Sequence, residues 1–129
     1  MPVAVVLINC DAVPFLDRII YGGKPFETRT RNMLRSLVHT PVMLAETHRG
    51  RRPVIRCYAT IGAPRVVRSR EEWEKYRPLA CIPAGSRYDW QPNTRAKWIY
   101  PLLNVRPCVP HTIPENARII RHGRTWIEY

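Results

Sequence analysis

Acidic side chains are in short supply. Ten Asp and Glu face 21 Lys and Arg across 129 residues, a formal charge of +11 with an isoelectric point near 10.3. That scarcity disfavours a cationic partner and favours a polyanion: RNA, DNA or an anionic membrane. The plain alternative is a charge that only keeps a small protein soluble. Long apolar runs are missing as well. Nothing approaches the roughly 20 residues of a spanning helix, and no lysine-rich amphipathic helix is visible, so nucleic acid ranks ahead of membrane. The opening "MPVAVVLINC" has no basic segment before its apolar run and no small-residue cleavage site after it. It reads as a first strand and not as a signal peptide, and a cytoplasmic setting is expected. Cysteine is limited to Cys10, Cys57, Cys81 and Cys108, with no C-x-x-C pair and no His at ligand spacing. Neither a metal nor another cofactor is expected, and the thiols read as small core hydrophobes. No Ser-His-Asp order and no phosphate-binding glycine loop occurs. The four histidines, His39, His48, His111 and His122, fall in predicted turns or loops.

What is present is the material of one globular domain, 1–129, with 45% hydrophobic residues and no repeat, low-complexity tract or linker. The β-branched run 3–8 predicts a buried strand. Residues 11–23 predict a helix, with Asp11 as cap, Pro14 in the first turn, and Gly22 or Gly23 as terminator. A strand over 24–31, one short helical turn in 32–38 and a strand over 41–47 follow, closed by the polar turn 48–52. Apolar residues return at 54–62 and 65–67, with Gly62 and Pro64 marking a bend. Ser69 and Glu72 form a capping box for a helix over 69–77. Residues 83–95 have no period and predict a long loop of the functional kind. Residues 96–105 predict a strand that Pro101 confines to an edge or a bulge, and 117–129 a hairpin around His122-Gly123. About six or seven strands with two or three short helices make an α+β, mainly β, domain: a small, curled, mixed barrel.

The stretch "YGGKPFETRTR" places Lys24, Glu27, Arg29 and Arg31 close together. Strand alternation sets Phe26, Thr28 and Thr30 on one face, with Phe26 toward the core, and Glu27, Arg29 and Arg31 on the other. Glu27 and Arg29 are then close enough for a charge-assisted hydrogen bond. Lys24 lies in the turn, where alternation fails, and its ammonium can swing toward Glu27. Two readings stand open, a solvated salt-bridge ladder on an edge strand or the floor of a site.

Gly22-x-Lys24-x-x-Glu27-x-Arg29 matches the G-x-K-x-x-E-x-R signature of the ASCH domain family, a branch of the PUA-like superfamily. The preceding "FLDRIIYGG" resembles that family's lead-in helix. Later, Trp98, Tyr100, Leu102, Asn104 and Val105 meet its W-x-Y-x-L-x-N-V pattern. The resemblance implies a PUA-like pseudobarrel with a positively charged cleft, and an association with RNA or modified nucleosides. One branch of the family removes the acetyl group of N4-acetylcytidine with a Lys, a Thr and a Glu; another member is a ribonuclease. Lys24 occupies the amidohydrolase lysine position, but Glu27 stands where that branch has its Thr, and "IRCYATIGAPRVV" has no acidic residue to supply the later Glu.

Two functions are compatible with these residues. The first is binding of RNA or a modified nucleobase in a basic cleft. Arg29, Arg31, Arg35, Arg51, Arg52 and Lys97 would meet phosphates, and Tyr88, Trp90, Trp98 and Tyr100 would offer stacking surfaces. Burial competes with stacking for Trp98 and Tyr100, which share a face with Leu102. Glu27 suits the exocyclic amino group of cytosine. The second function is a small hydrolase of a nucleoside or of RNA, with Lys24 and Glu27 as the proton-transfer pair. A protein-interaction adaptor whose charge is incidental is a third.

Overall fold

Residues 4–113, 118–119 and 126–128 are described by a computed structural model. In chain order they form β1 (Ala4–Asn9), α1 (Phe15–Ile20), β2 (Phe26–Arg29), a single 3-10 turn (Arg35–Leu37), β3 (Pro41–Thr47), β4 (Val54–Ile61), β5 (Arg65–Val67), α2 (Arg70–Tyr76), β6 (Lys97–Thr112), β7 (Arg118–Ile119) and β8 (Trp126–Glu128). The strands lie in the order β2-β6-β4-β3-β1-β8-β7, with β5 also on β6. Only β1 and β3 run parallel among these pairs; the rest are antiparallel. The sheet is therefore mixed. The eight strands exceed the six or seven expected because β5 and β7 are only three and two residues long.

β6 sets the curl. β2 and β5 flank its first part, Lys97 to Pro101, and β4 flanks Leu102 to Thr112. Extra residues on the β6 side shift its register with β4 twice, and Asn104 takes a φ of 52° at one of these bulges. Asn tolerates that left-handed conformation better than most residues. Pro101 lies not at an edge but where β6 passes from one set of neighbours to the other. Its carbonyl accepts from Gly62 N at 2.7 Å. A Cβ on Gly62 would stand 3.0 Å from the Pro101 ring, so glycine lets the two strands cross without displacing that ring.

The apolar positions of both helices and the inner sheet face meet in one main cluster that includes Val6, Leu16, Leu44, Ile61, Trp73 and Tyr100. Each fully buried Leu or Ile there contributes about 1.5–3 kcal/mol. α2 opens on the N-cap half of the predicted box, with Ser69 Oγ accepting from Glu72 N at 3.1 Å, while Glu72 Oε1 is taken by Arg65. α1 is shorter than the predicted 11–23. Asp11 does not cap it; its carboxylate accepts from Arg49 N at 3.1 Å in the β3–β4 turn, and Pro14 occupies the N-terminal position instead. After α1, Gly22 takes a φ of 92°, which lets Gly23 N and Lys24 N both donate to Arg18 O, at 2.7 and 3.0 Å. That turn aims Lys24 inward. The predicted tail hairpin has its strands in β7 and β8, and its turn lies outside the described residues. His111 falls within β6 and not in a loop.

Candidate functional site

β2 ends at Arg29, so the predicted alternation stops there. Both faces of this edge strand are covered. Phe26 is half-buried and meets Tyr76 of α2 edge-on, with centroids 6.0 Å apart, while Glu27 is buried on the side of α1. Lys24 is 2% exposed, a costly place for an ammonium. Its Nζ donates to Ala80 O at 2.9 Å, stands 3.7 Å from Glu27 Oε1 and lies 4.7 Å from the centre of the Phe15 ring. Burial pushes the Lys24 pKa down, and the Glu27 carboxylate pulls it part of the way back. Glu27 Oε1 accepts from Thr28 N at 3.0 Å and Oε2 from Arg29 Nη2 at 3.2 Å. The same Arg29 nitrogen donates to Leu7 O at 3.2 Å. These side chains form a floor, not a solvated ladder.

Over this floor opens a cavity of about 250 Å³. One wall is the loop 83–95, which a single carboxylate organises. Asp89 Oδ1 accepts from the Trp73 indole and from Trp90 N, both at 2.7 Å, and Oδ2 accepts from Gly85 N at 2.8 Å. Tyr88 is thereby set edge-on against Phe15, with centroids 5.2 Å apart. Lys97 supports it from below. Only 4% exposed, its Nζ donates to Tyr88 O at 2.8 Å and rests 4.9 Å over the Trp73 ring. Burial lowers its pKa too, against a partial opposing pull from Asp89. At the mouth, the Arg87 guanidinium meets Tyr88, its carbon 4.8 Å from the ring centre. The cavity lining thus holds Lys24, Arg29, Arg87 and Lys97 against Glu27 as its one acid, together with two aromatic rings. Such a hollow suits a flat, hydrogen-bonding ligand with negative charge near it.

No protein-family model matches the sequence, and no curated protein matches it. Solved structures do. The crystal structure of ASCH from Zymomonas mobilis superposes with a TM-score of 0.69 at 18% identity, covering 95% of this chain and 90% of that one. Two single-substitution variants of the same Zymomonas mobilis protein give TM-scores of 0.68 and 0.67 at 20% and 19% identity. The first comparison covers 87% of this chain and 77% of that one, the second 95% and 92%. The chain has the ASCH fold. Its curled, mainly β barrel is the PUA-like pseudobarrel that the two sequence patterns implied.

Within this ASCH fold, five of the twelve residues singled out from sequence line the cavity or its floor: Lys24, Glu27, Arg29, Tyr88 and Lys97. Seven do not line it. Arg31 lies beyond the end of β2 and is exposed. Trp90 is half-buried, packs against the core, and offers its carbonyl to Arg70 Nη2 at 3.4 Å. Trp98 is half-buried against the core opposite Arg29 and Val66. The Lys97 ammonium is occupied by Tyr88 O and Trp73, which suits support of the wall better than a phosphate contact. Tyr100 is fully buried, its hydroxyl donating to Asn32 Oδ1 at 2.5 Å and accepting from Leu34 N at 3.3 Å. Arg35, Arg51 and Arg52 are exposed and outside the cavity.

Sequence reading missed Asn9, Phe15, Thr30, Met33, Ile82 and Arg87, which also line it. Asn9, a polar residue ending an apolar run, and Arg87, beside the flagged Tyr88, left a signal in the sequence. Phe15 left none. Among the described residues no cluster of His, Cys, Asp and Glu could hold a metal ion, and no helix is long and apolar enough to cross a membrane.

Proposed function

We propose that this ASCH-fold domain binds RNA by receiving one nucleobase, plain or modified, in the cavity above Glu27. The observation that carries the reading is a buried carboxylate, 7% exposed, held between an ammonium and a guanidinium at the bottom of a hollow walled by Phe15 and Tyr88. Each Glu27 oxygen accepts one hydrogen bond from the protein and keeps a lone pair for a ligand. An exocyclic amino group satisfies that position and a carbonyl does not, so cytosine should be preferred to uracil. Fluorescence anisotropy with short oligocytidylate and oligouridylate tests this. Oligocytidylate should bind more tightly, and Glu27→Gln should cut the preference by about tenfold, the equivalent of one good base contact. No binding of either strand at low salt, or an unchanged preference in Glu27→Gln, refutes it.

A hydrolytic second reading is favoured by the buried Lys24 amine. Its lowered pKa and its closeness to Glu27 suit a base or nucleophile with a neighbouring proton carrier. Incubation with N4-acylated cytidines and with RNA, followed by mass spectrometry, would detect lost acyl groups or cleaved strands. Turnover abolished by Lys24→Ala makes the domain an enzyme; intact substrates leave it a binder.

A further inference from the structure

We propose that Arg87 is a phosphate clamp at the cavity mouth, so that the ligand is a nucleotide and not a free nucleoside or base. This rests on the nucleobase reading above and adds the polarity of the bound group. The guanidinium is held before any ligand arrives. Its carbon lies 4.8 Å from the centre of the Tyr88 ring, and its Nη2 donates to Tyr88 Oη at 2.6 Å and to Asn9 Oδ1 at 3.5 Å. Both bonds come from one nitrogen, so the hydrogens of Nε and Nη1 remain for a second acceptor. A phosphate has oxygens enough to accept from these hydrogens in charge-assisted bonds, while Nη2 stays on Tyr88 and Asn9.

The supports of the clamp are themselves fixed. Asn9 ends β1 and is oriented by Asp11, whose N donates to Asn9 Oδ1 at 3.1 Å and whose Oδ2 accepts from Asn9 Nδ2 at 3.3 Å. Tyr88 is locked on the other side by Lys97 and by the Asp89-centred loop. Little ordering is left to be done on binding, which favours affinity. The charge balance agrees. Within the lining Glu27 is the one acid beside four cations, although Asp89 acts on Lys97 and Asp11 on Arg87 from behind; a phosphate beside the base reduces the remaining excess, and a neutral base does not.

Isothermal titration with cytidine, cytidine 5′-monophosphate and cytidine 3′-monophosphate tests the clamp. At least one monophosphate should bind about tenfold more tightly than cytidine, with the gap narrowing as salt rises. Arg87→Gln should bring the monophosphate-to-cytidine ratio close to one, and Arg87→Lys should restore it only in part. Equal affinities for cytidine and both monophosphates in the unaltered protein overturn the clamp while leaving the nucleobase reading standing. A ratio undiminished in Arg87→Gln does the same. Failure of all three ligands to bind overturns the nucleobase reading and the clamp with it.

Discussion

Replacing Asp89 should unfasten the wall of the cavity, and the size of the effect follows from its three hydrogen bonds. Trp73 is fully buried, so in Asp89→Ala its indole N–H has no water to turn to and costs about 1–3 kcal/mol. Gly85 is exposed and Trp90 half-buried; their amides regain water, and losing an acceptor there costs roughly 0.5–1.5 kcal/mol more. A total of about 2–4 kcal/mol should lower Tm by roughly 6–20 °C in a domain of this length. Asp89→Asn should cost less. Its oxygen can keep both bonds made at Oδ1, but its amide must then face Gly85 N, donor against donor.

The pH dependence has a definite sign. Burial works to raise the Asp89 pKa, but the bonds from Gly85, Trp73 and Trp90 and the charge of Arg77 outweigh it and hold the group below its ordinary 3.8. Its stabilisation is therefore complete above 3.8 and is lost as pH falls through the lower folded value. Asp89→Asn should lack that acid-side loss. Urea and thermal unfolding of the three proteins between neutral and acid pH measure all of this. A Tm drop below about 3 °C in Asp89→Ala, or equal drops in the Ala and Asn variants, refutes the anchoring role.

Lys24→Met should remove nucleobase binding and any turnover, and should also change how stability responds to alkali. Burial holds the Lys24 pKa below 10.5, so between the folded value and 10.5 the unfolded chain binds the extra proton. Stability rises with pH across that interval in the unaltered protein, and urea midpoints of Lys24→Met should lack the rise. Gly62→Ala should cost about 1–3 kcal/mol by forcing a methyl against Pro101 at 3.0 Å, read as a lower urea midpoint at unchanged slope.

Much of the fold is legible in local patterns. The apolar runs become β1, β3 and β4, and the Ser69 cap opens α2, because each signal is satisfied within a few residues of itself. The full length of β6 is not legible. Residues past 105 carry Pro107 and Pro110, which argue against a strand until β4 is known to lie alongside, with bulges absorbing the extra residues. Asp11 misleads for a similar reason: the same carboxylate that can cap a helix is taken by Arg49, a partner distant in sequence. At the site, the spacing of Lys24, Glu27 and Arg29 points to shared space, since all three lie on one turn and one short strand. The opposite wall depends on where a loop is folded, and Trp90 and Trp98 go to the core because packing claims large rings wherever it can.

The pairing of Glu27 with Tyr100 and of Arg65 with Ile99 has a consequence for biogenesis. Both short strands acquire backbone partners only from a segment that leaves the ribosome long after they do. Until residues 97–112 emerge, the Lys24–Glu27 floor hangs on an open edge, exposed to mispairing with other chains. The domain is thus bound to complete its chemistry-bearing half late, and a nascent chain arrested short of that segment would be a substrate for chaperones before it could engage any ligand.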